Sequence, residues 1–297
     1  MNYDRKILIA SNAFIPRMKA QNIVKDLNYH YIFNTDEERN RAIKEFNLRK
    51  EGTHVANINK EKVKQYGVTL AREWGERNLT NEEEWYIWLD DNVSHFTWLP
   101  YPWYDYDRID FDLDWDDPNG KELIIKHSYD WRYIYNEICP IKQIIKNWEE
   151  MIKKCEEMNT VAGGFAIETN YFFRRIKWQY FGYCRTQNAV IKNTGLPWDY
   201  WEGGMIEDMA RSVDVVARYG CVCINRFMKP MKQFWEKGGI GSLQERMPNL
   251  IDGCKRLMEM YPGLLQYVKD HEYQLMFKYK RQKSVNKWRR ENGYLQG

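Results

Sequence analysis

The sequence predicts an α/β fold: a parallel central sheet flanked by helices. Three observations carry that expectation. Short apolar runs alternate with longer amphipathic stretches through the N-terminal third, the pattern of repeated βα units. Two of these runs stop abruptly at polar residues, KILIA at Ser11-Asn12 and WYIWL at Asp90-Asp91-Asn92. No segment approaches the roughly 20 apolar residues of a membrane span, so the runs must bury one another.

Taken in order, KILIA (6–10) with its Ser-Asn turn is the first strand and YHYIF (29–33) the second. TDEERNRAIKEF (35–46) opens on Thr35 with Glu38 three residues later, a capping-box start for a helix. HVANI (54–58) supplies a third strand. VTLAREWGERNL (68–79) forms a helix with Val68, Ala71, Trp74 and Leu79 mostly on one side. WYIWL (85–89) is the fourth strand.

The character then changes. HFTWLPYPWYDYDRIDFDLDWDDPNG (95–120) interleaves aromatics with Asp105, Asp107, Asp110, Asp112, Asp114, Asp116 and Asp117. It reads as part of an acidic, aromatic insertion at about 94–137, its period-two stretch suiting an edge strand with one wet face. The spacing does not make an EF-hand, which needs a mid-loop glycine and a closing glutamate. A helix is expected at 140–158, a strand within TVAGGFAIET (160–169), and another at NAVI (188–191) before a Gly-Leu-Pro turn. GGMIEDMARSVDVVARYG (203–220) predicts a helix burying Met205, Met209, Val213 and Val216 and stopping at Gly220. CVCIN (221–225) is a short strand after it. The main domain is assigned to 1–245 and a helical, basic C-terminal extension to 246–297. The basic run 278–293 reads either as a solvated terminal helix or as a polyanion contact.

At 297 residues the chain can bury a large core, and a net charge of +3 names no partner by itself. Its six cysteines include no C-x-x-C pair and no histidine at zinc-finger spacing. They read as reduced core thiols of a cytoplasmic protein. The opening MNYDRKILIA is too short an apolar run for a signal peptide or anchor, so no membrane partner is expected.

The chemistry centres on Asp90 and Asp91. In open α/β sheets ligands gather outside the carboxyl ends of the strands, where Ser11, Asn12 and Asp90 to Asn92 are expected. Two adjacent carboxylates there have three readings: a cap for the next element, a hydrolytic acid–base pair, or a holder of a divalent metal and a nucleotide ribose. Arg72 has two, a bidentate phosphate ligand or a surface ion pair with Glu76 one turn on. Glu207-Asp208 reads either as a helix start favoured by the macrodipole or as a general base.

The order of LAREWG (70–75), WLDDNV (88–93) and MIEDMARS (205–212) resembles the GT-A glycosyltransferases. These carry an Asp-x-Asp-type motif after a hydrophobic strand and a Glu-Asp pair on a later helix. The likeness spans about residues 5–240. With TGLPWD (194–199) and NRFMKPMKQFWEKGGIGS (225–242), it is most similar to the phage enzymes, associated with TET/JBP-type dioxygenases, that glycosylate hydroxymethylated DNA bases. The resemblance implies a Rossmann-like, nucleotide-sugar-binding GT-A sheet and a UDP-sugar donor. Its acceptor would be a hydroxymethylated pyrimidine in DNA, such as 5-hydroxymethylcytosine, in the cytoplasm of an infected bacterium.

Carried over residue by residue, the resemblance makes Asp208, or failing it Glu207, the base that deprotonates the acceptor hydroxyl. Ser11, Asn12, Arg72, Asp90, Asp91, Asn92, Arg226 and Lys229 would surround the donor, with Gly238 and Gly239 in a flexible loop over it. Trp198, Asp199 and Trp201 would meet the acceptor. Asp91 and Asn92 stand where the family binds Mn²⁺ or Mg²⁺, but an amide replaces the usual carboxylate, and hard cations favour charged oxygens. The competing functions are a glycosyltransferase with a protein or polysaccharide acceptor, and a non-catalytic nucleic-acid-binding protein.

Overall fold

The computed structural model describes residues 3–11, 18–59, 61–62, 68–98, 138–165, 178–180, 188–195, 206–232, 243–279 and 281–295. Their central feature is an eight-stranded mixed sheet in the order β3-β2-β1-β4-β8-β6-β9-β7. β1 (Ile7–Ala10), β2 (Tyr29–Phe33), β3 (Thr53–Val55) and β4 (Trp85–Leu89) are parallel to one another. β8 (Asn188–Lys192) runs antiparallel between β4 and β6 (Ala162–Phe165). β9 (Cys223–Asn225) is parallel to β6, and β7 (Trp178–Gln179) closes the edge antiparallel to β9. The all-parallel expectation is therefore corrected: an apolar run reports burial on both faces, which a central strand has in either direction.

Each strand splits its side chains between two apolar layers. Tyr29, Tyr31 and Phe33 pack with Ile7, Ile9 and Ile87 on one face, under α2 (Asp36–Phe46) and α4 (Ile141–Glu157). Leu8, Ile32, Tyr86 and Trp88 pack on the other, under α3 (Thr69–Leu79) and α5 (Glu207–Tyr219). All five residues of β4 are buried, which explains its hydrophobic composition. Burying each large aliphatic side chain in these layers contributes about 1.5–3 kcal/mol. α1 (Gln21–Val24) is a single turn after β1.

Several local signals act as read. Glu38 N–H donates to Thr35 Oγ1, and Asn34 N–H to the Glu38 carboxylate, so the capping box forms with its return bond shifted one residue outward. α2 ends at Asn47 and α5 at Gly220, both left-handed. Gly75 lets α3 approach the sheet, because a Cβ there would lie 2.3 Å from Ile32 Cδ1.

Two expectations need correcting. Val93–Trp98 is β5, and it pairs antiparallel with β10 (Met228–Lys232) in a separate two-stranded ribbon. Residues 94–98 and 228–232 thus belong to neither a free insertion nor a flexible loop. The next described residue after Trp98 is Ile138, which bridges to Thr97. The aspartates from 105 to 117 lie outside the described residues.

The second correction is in the extension, which is not all helical. After α6 (Leu243–Met260) come β11 (Leu265–Val268) and β12 (His271–Phe277), a hairpin, and then α7 (Gln282–Glu291). Leu264, Leu275, Val285 and Trp288 share one apolar cluster with Val213 and Val216 of α5, so this segment packs onto the sheet's own helix layer.

Candidate functional site

The tips of β1 and β4 meet at the point where the strand order reverses. β1 lies between β2 and β4, all parallel, so successive connections leave it on opposite sides. This is a topological switch point, and the crevice outside it is where such sheets bind ligands. Ser11, just past β1, donates its hydroxyl to Asp91 Oδ2 at 2.8 Å. Met18 Sδ lies 3.0 Å from the same hydroxyl, but a carboxylate is the stronger acceptor.

The Asp90–Asn92 turn is held by backbone as well. The N–H groups of Lys19 and Ala20 both donate to the Asp91 carbonyl, at 2.8 and 2.9 Å. Asp91 and Asn92 are buried, at 4% and 5% exposure. Burial pushes the Tyr31 hydroxyl well above its ordinary pKa, and the nearby Asp91 charge adds to the rise.

Asp90 points to the other side of the turn. Arg72 Nη2 lies 2.7 Å from Asp90 Oδ1, with its guanidinium 5.8 Å from the Trp88 ring centre. The Glu76 pairing considered for Arg72 is thus replaced by a partner from the strand tip. Glu76 instead meets Arg211 at 2.8 Å, at side-chain exposures of 4% and 9%. The Tyr86 hydroxyl donates to the same Glu76 oxygen. Burial and the Glu76 charge raise the Tyr86 pKa, while Arg211 opposes them.

Glu76, Tyr86 and Arg211 were not among the sequence candidates. The available signal was the i, i+4 spacing of Arg72 and Glu76, which puts both on one face of α3. Asn193 was also missed: it donates to Thr80 Oγ1 at 2.9 Å and accepts from Gly195 N–H at 2.8 Å. It therefore fastens the start of the TGLPWD stretch to the end of α3.

The remaining candidates are placed as follows. Glu207 and Asp208 are the first two residues of α5, with Arg211 one turn beyond Glu207; their side chains lie outside the described set. Asn12, Trp198, Asp199, Trp201, Gly238 and Gly239 also lie outside the described residues. Arg226 is in the turn between β9 and β10, and Lys229 is buried on β10 opposite Thr97. Lys232, not Lys229, is the β10 residue opposite Val93. Lys229 sits four positions along β5, about 13 Å away at ordinary strand rise.

At the candidate metal positions Asp91 Oδ2 accepts from Ser11, Asp90 Oδ1 pairs with Arg72, and the third position offers an amide. No cluster of three or more potential ligands occurs among the described residues. Cys139, Cys155, Cys221, Cys223 and Cys254 are free and buried; burial raises the Cys254 thiol to about 11 and Cys139 to about 12. No described helix is long and apolar enough to cross a membrane.

The fold defines an α/β protein with a large mixed sheet flanked by helices, compatible with a Rossmann-like fold. No protein-family model, curated protein or solved structure matches the chain significantly.

Proposed function

We propose that the protein is a glycosyltransferase. It moves a sugar from a nucleotide-sugar donor, in the first instance a UDP-sugar, to the hydroxyl of a hydroxymethylated pyrimidine in DNA. The observation that carries this reading is the Ser11–Asp91 hydrogen bond at the switch point, with the Arg72–Asp90 pair beside it. A polar cluster on rigid strand tips is the kind of platform on which a nucleoside is oriented. The choice of sugar transfer and of DNA rests on the motif resemblance, a fold-level analogy.

In this reading Asp208, or Glu207, accepts the proton of the acceptor's primary alcohol as its oxygen attacks the anomeric carbon. The bond from that carbon to the diphosphate oxygen breaks, and the nucleoside diphosphate departs with the electron pair. Basic residues of the 226–232 stretch meet the departing charge. A base inside a duplex has to be flipped out to reach such a site, and Trp198 and Trp201 would stack against it.

The test is mass spectrometry of nucleosides from hydroxymethylated DNA incubated with the protein and a panel of nucleotide sugars. A hexose or pentose adduct on the modified pyrimidine is expected. Donor hydrolysis without any nucleoside adduct would sink the DNA acceptor and favour a protein or polysaccharide. Neither hydrolysis nor adduct with any donor would sink the transferase.

A further inference from the structure

The basic run at 278–293 divides into two sets of side chains with different work. Arg289 is buried against α5, donating to the Ala217 carbonyl at 2.9 Å and to the Arg218 carbonyl at 2.5 Å. It therefore satisfies carbonyls at a helix C-terminus, where a cation is favoured. Gln282 reaches the Gly220 carbonyl at 3.3 Å. Val285 and Trp288 bury the apolar side of α7, with Trp288 Nε1 on the Pro262 carbonyl at 2.8 Å. These contacts fix the helix on the body of the protein.

The opposite side of α7 carries Lys283, Lys287 and Arg290, all exposed. Their i, i+4, i+7 spacing puts them in one stripe along about 10 Å of helix. Lys278 and Arg281, also exposed, precede it. Glu291 lies 3.8 Å from Lys287, with both side chains more than half exposed, so water and salt screen that pair.

We propose that this stripe is a docking surface for the phosphate backbone of DNA, independent of base sequence. DNA is singled out from other polyanions partly on the strength of the acceptor reading above, on which that choice rests. Two features of the helix point the same way. A helix that binds a membrane surface needs its apolar side for the lipid, and here Val285 and Trp288 spend that side in the core. A protein partner is held through an apolar or aromatic centre within the interface, whereas the outward residues of α7 are charged or polar, with Glu291 the one anion among its exposed charges. Phosphate contacts need only charge, and they set position on the duplex without reading it. Along α5, Ala217 lies nine residues from Asp208, about 14 Å, which corresponds to roughly four phosphates of one strand. The anchored face of α7 therefore lies about that far from the first turn of α5.

The experiment measures binding of the full chain to duplex DNA, without any sugar donor, by fluorescence anisotropy across about 50–200 mM salt. The variant is Lys283→Gln/Lys287→Gln/Arg290→Gln, with Lys283→Arg/Lys287→Arg as the charge-preserving control. The triple variant is expected to lose about two to three units of the log–log salt slope and at least about tenfold in low-salt affinity. The control should keep both, and both variants should melt with the wild type. No DNA binding by the wild type, or an unchanged slope in the triple variant, overturns the proposal. Equal capture by polyglutamate or by phosphatidylserine vesicles overturns the assignment to DNA. DNA held through the stripe with no nucleoside adduct leaves this inference standing and removes only the acceptor reading.

Discussion

Arg211 of α5 and Glu76 of α3 form an ion pair at 2.8 Å that is almost fully shielded from solvent. One turn earlier on the same helix, Arg72 grips Asp90 at the tip of β4. α3 thus holds, through two residues on one face, both the strand tip expected to orient a donor and the helix expected to supply the base.

Breaking that pair from one side removes the described counter-ion of a buried charge, a change that costs about 3–5 kcal/mol. Glu76→Ala is expected to fall in that range by denaturant unfolding. Glu76→Met/Arg211→Met should cost much less than the sum of its single variants, since neither charge then remains. A double variant whose cost equals the sum would show that the two residues are not coupled.

The Ser11 hydroxyl donates to the Asp91 carboxylate, which is buried at 4% exposure. Ser11→Ala should destabilise the fold by about 1–3 kcal/mol, the cost of a buried polar group losing a partner. If the switch point holds a nucleoside, the same change should weaken UDP binding in calorimetry by about tenfold, the equivalent of 1.4 kcal/mol. Stability lost with UDP affinity intact would assign Ser11 to the fold alone.

On the α3 side of β2, His30 Nδ1 lies 3.0 Å from His54 Nε2 and the rings stack. Burial pushes the His30 pKa down to about 4, helped by His54, Lys6 and Arg49 and opposed by Glu84. Burial and Arg39 lower His54 as well. An unfolded histidine titrates near 6.5, so between about 6.5 and 4 the unfolded chain binds protons that the folded chain refuses. The contribution is fully present above that window and is lost as pH falls through it. His30→Phe should therefore flatten the pH dependence of the urea midpoint between pH 7 and 4.5 relative to wild type. An unaltered pH slope would mean the pair does not couple folding to protons.

What the sequence made legible was local. Thr35 with Glu38, Gly220 after α5 and the apolar run before Asp90 each depend on a few neighbouring residues, and each is where it was expected. Partners distant in the chain were not legible. Arg72 has an acceptor at the right helical spacing in Glu76, yet its partner is Asp90, while Glu76 turns to a residue 135 positions away. The hairpin of β11 and β12 was hidden for another reason. Asp270, not glycine, takes the left-handed position at its turn, so the usual punctuation between two strands is missing. The β5–β10 ribbon was obscured in the same way by Pro230, which is tolerated because a two-stranded ribbon is all edge.

Adjacent placement at the start of α5 leaves Glu207 and Asp208 to be separated by kinetics. Successive helix residues point about 100° apart, so one carboxylate can face the acceptor while its neighbour serves the helix start through the macrodipole. Removal of a general base slows chemistry by about 10²–10⁴-fold. Asp208→Asn should lower kcat in that range with KM for the nucleotide sugar little changed, since the base touches acceptor and not donor. Glu207→Gln should then change kcat by less than about tenfold, because an N-terminal charge on a helix is worth only about 0.3–1 kcal/mol. The reverse pattern moves the base to Glu207, and wild-type rates in both variants remove it from α5 altogether.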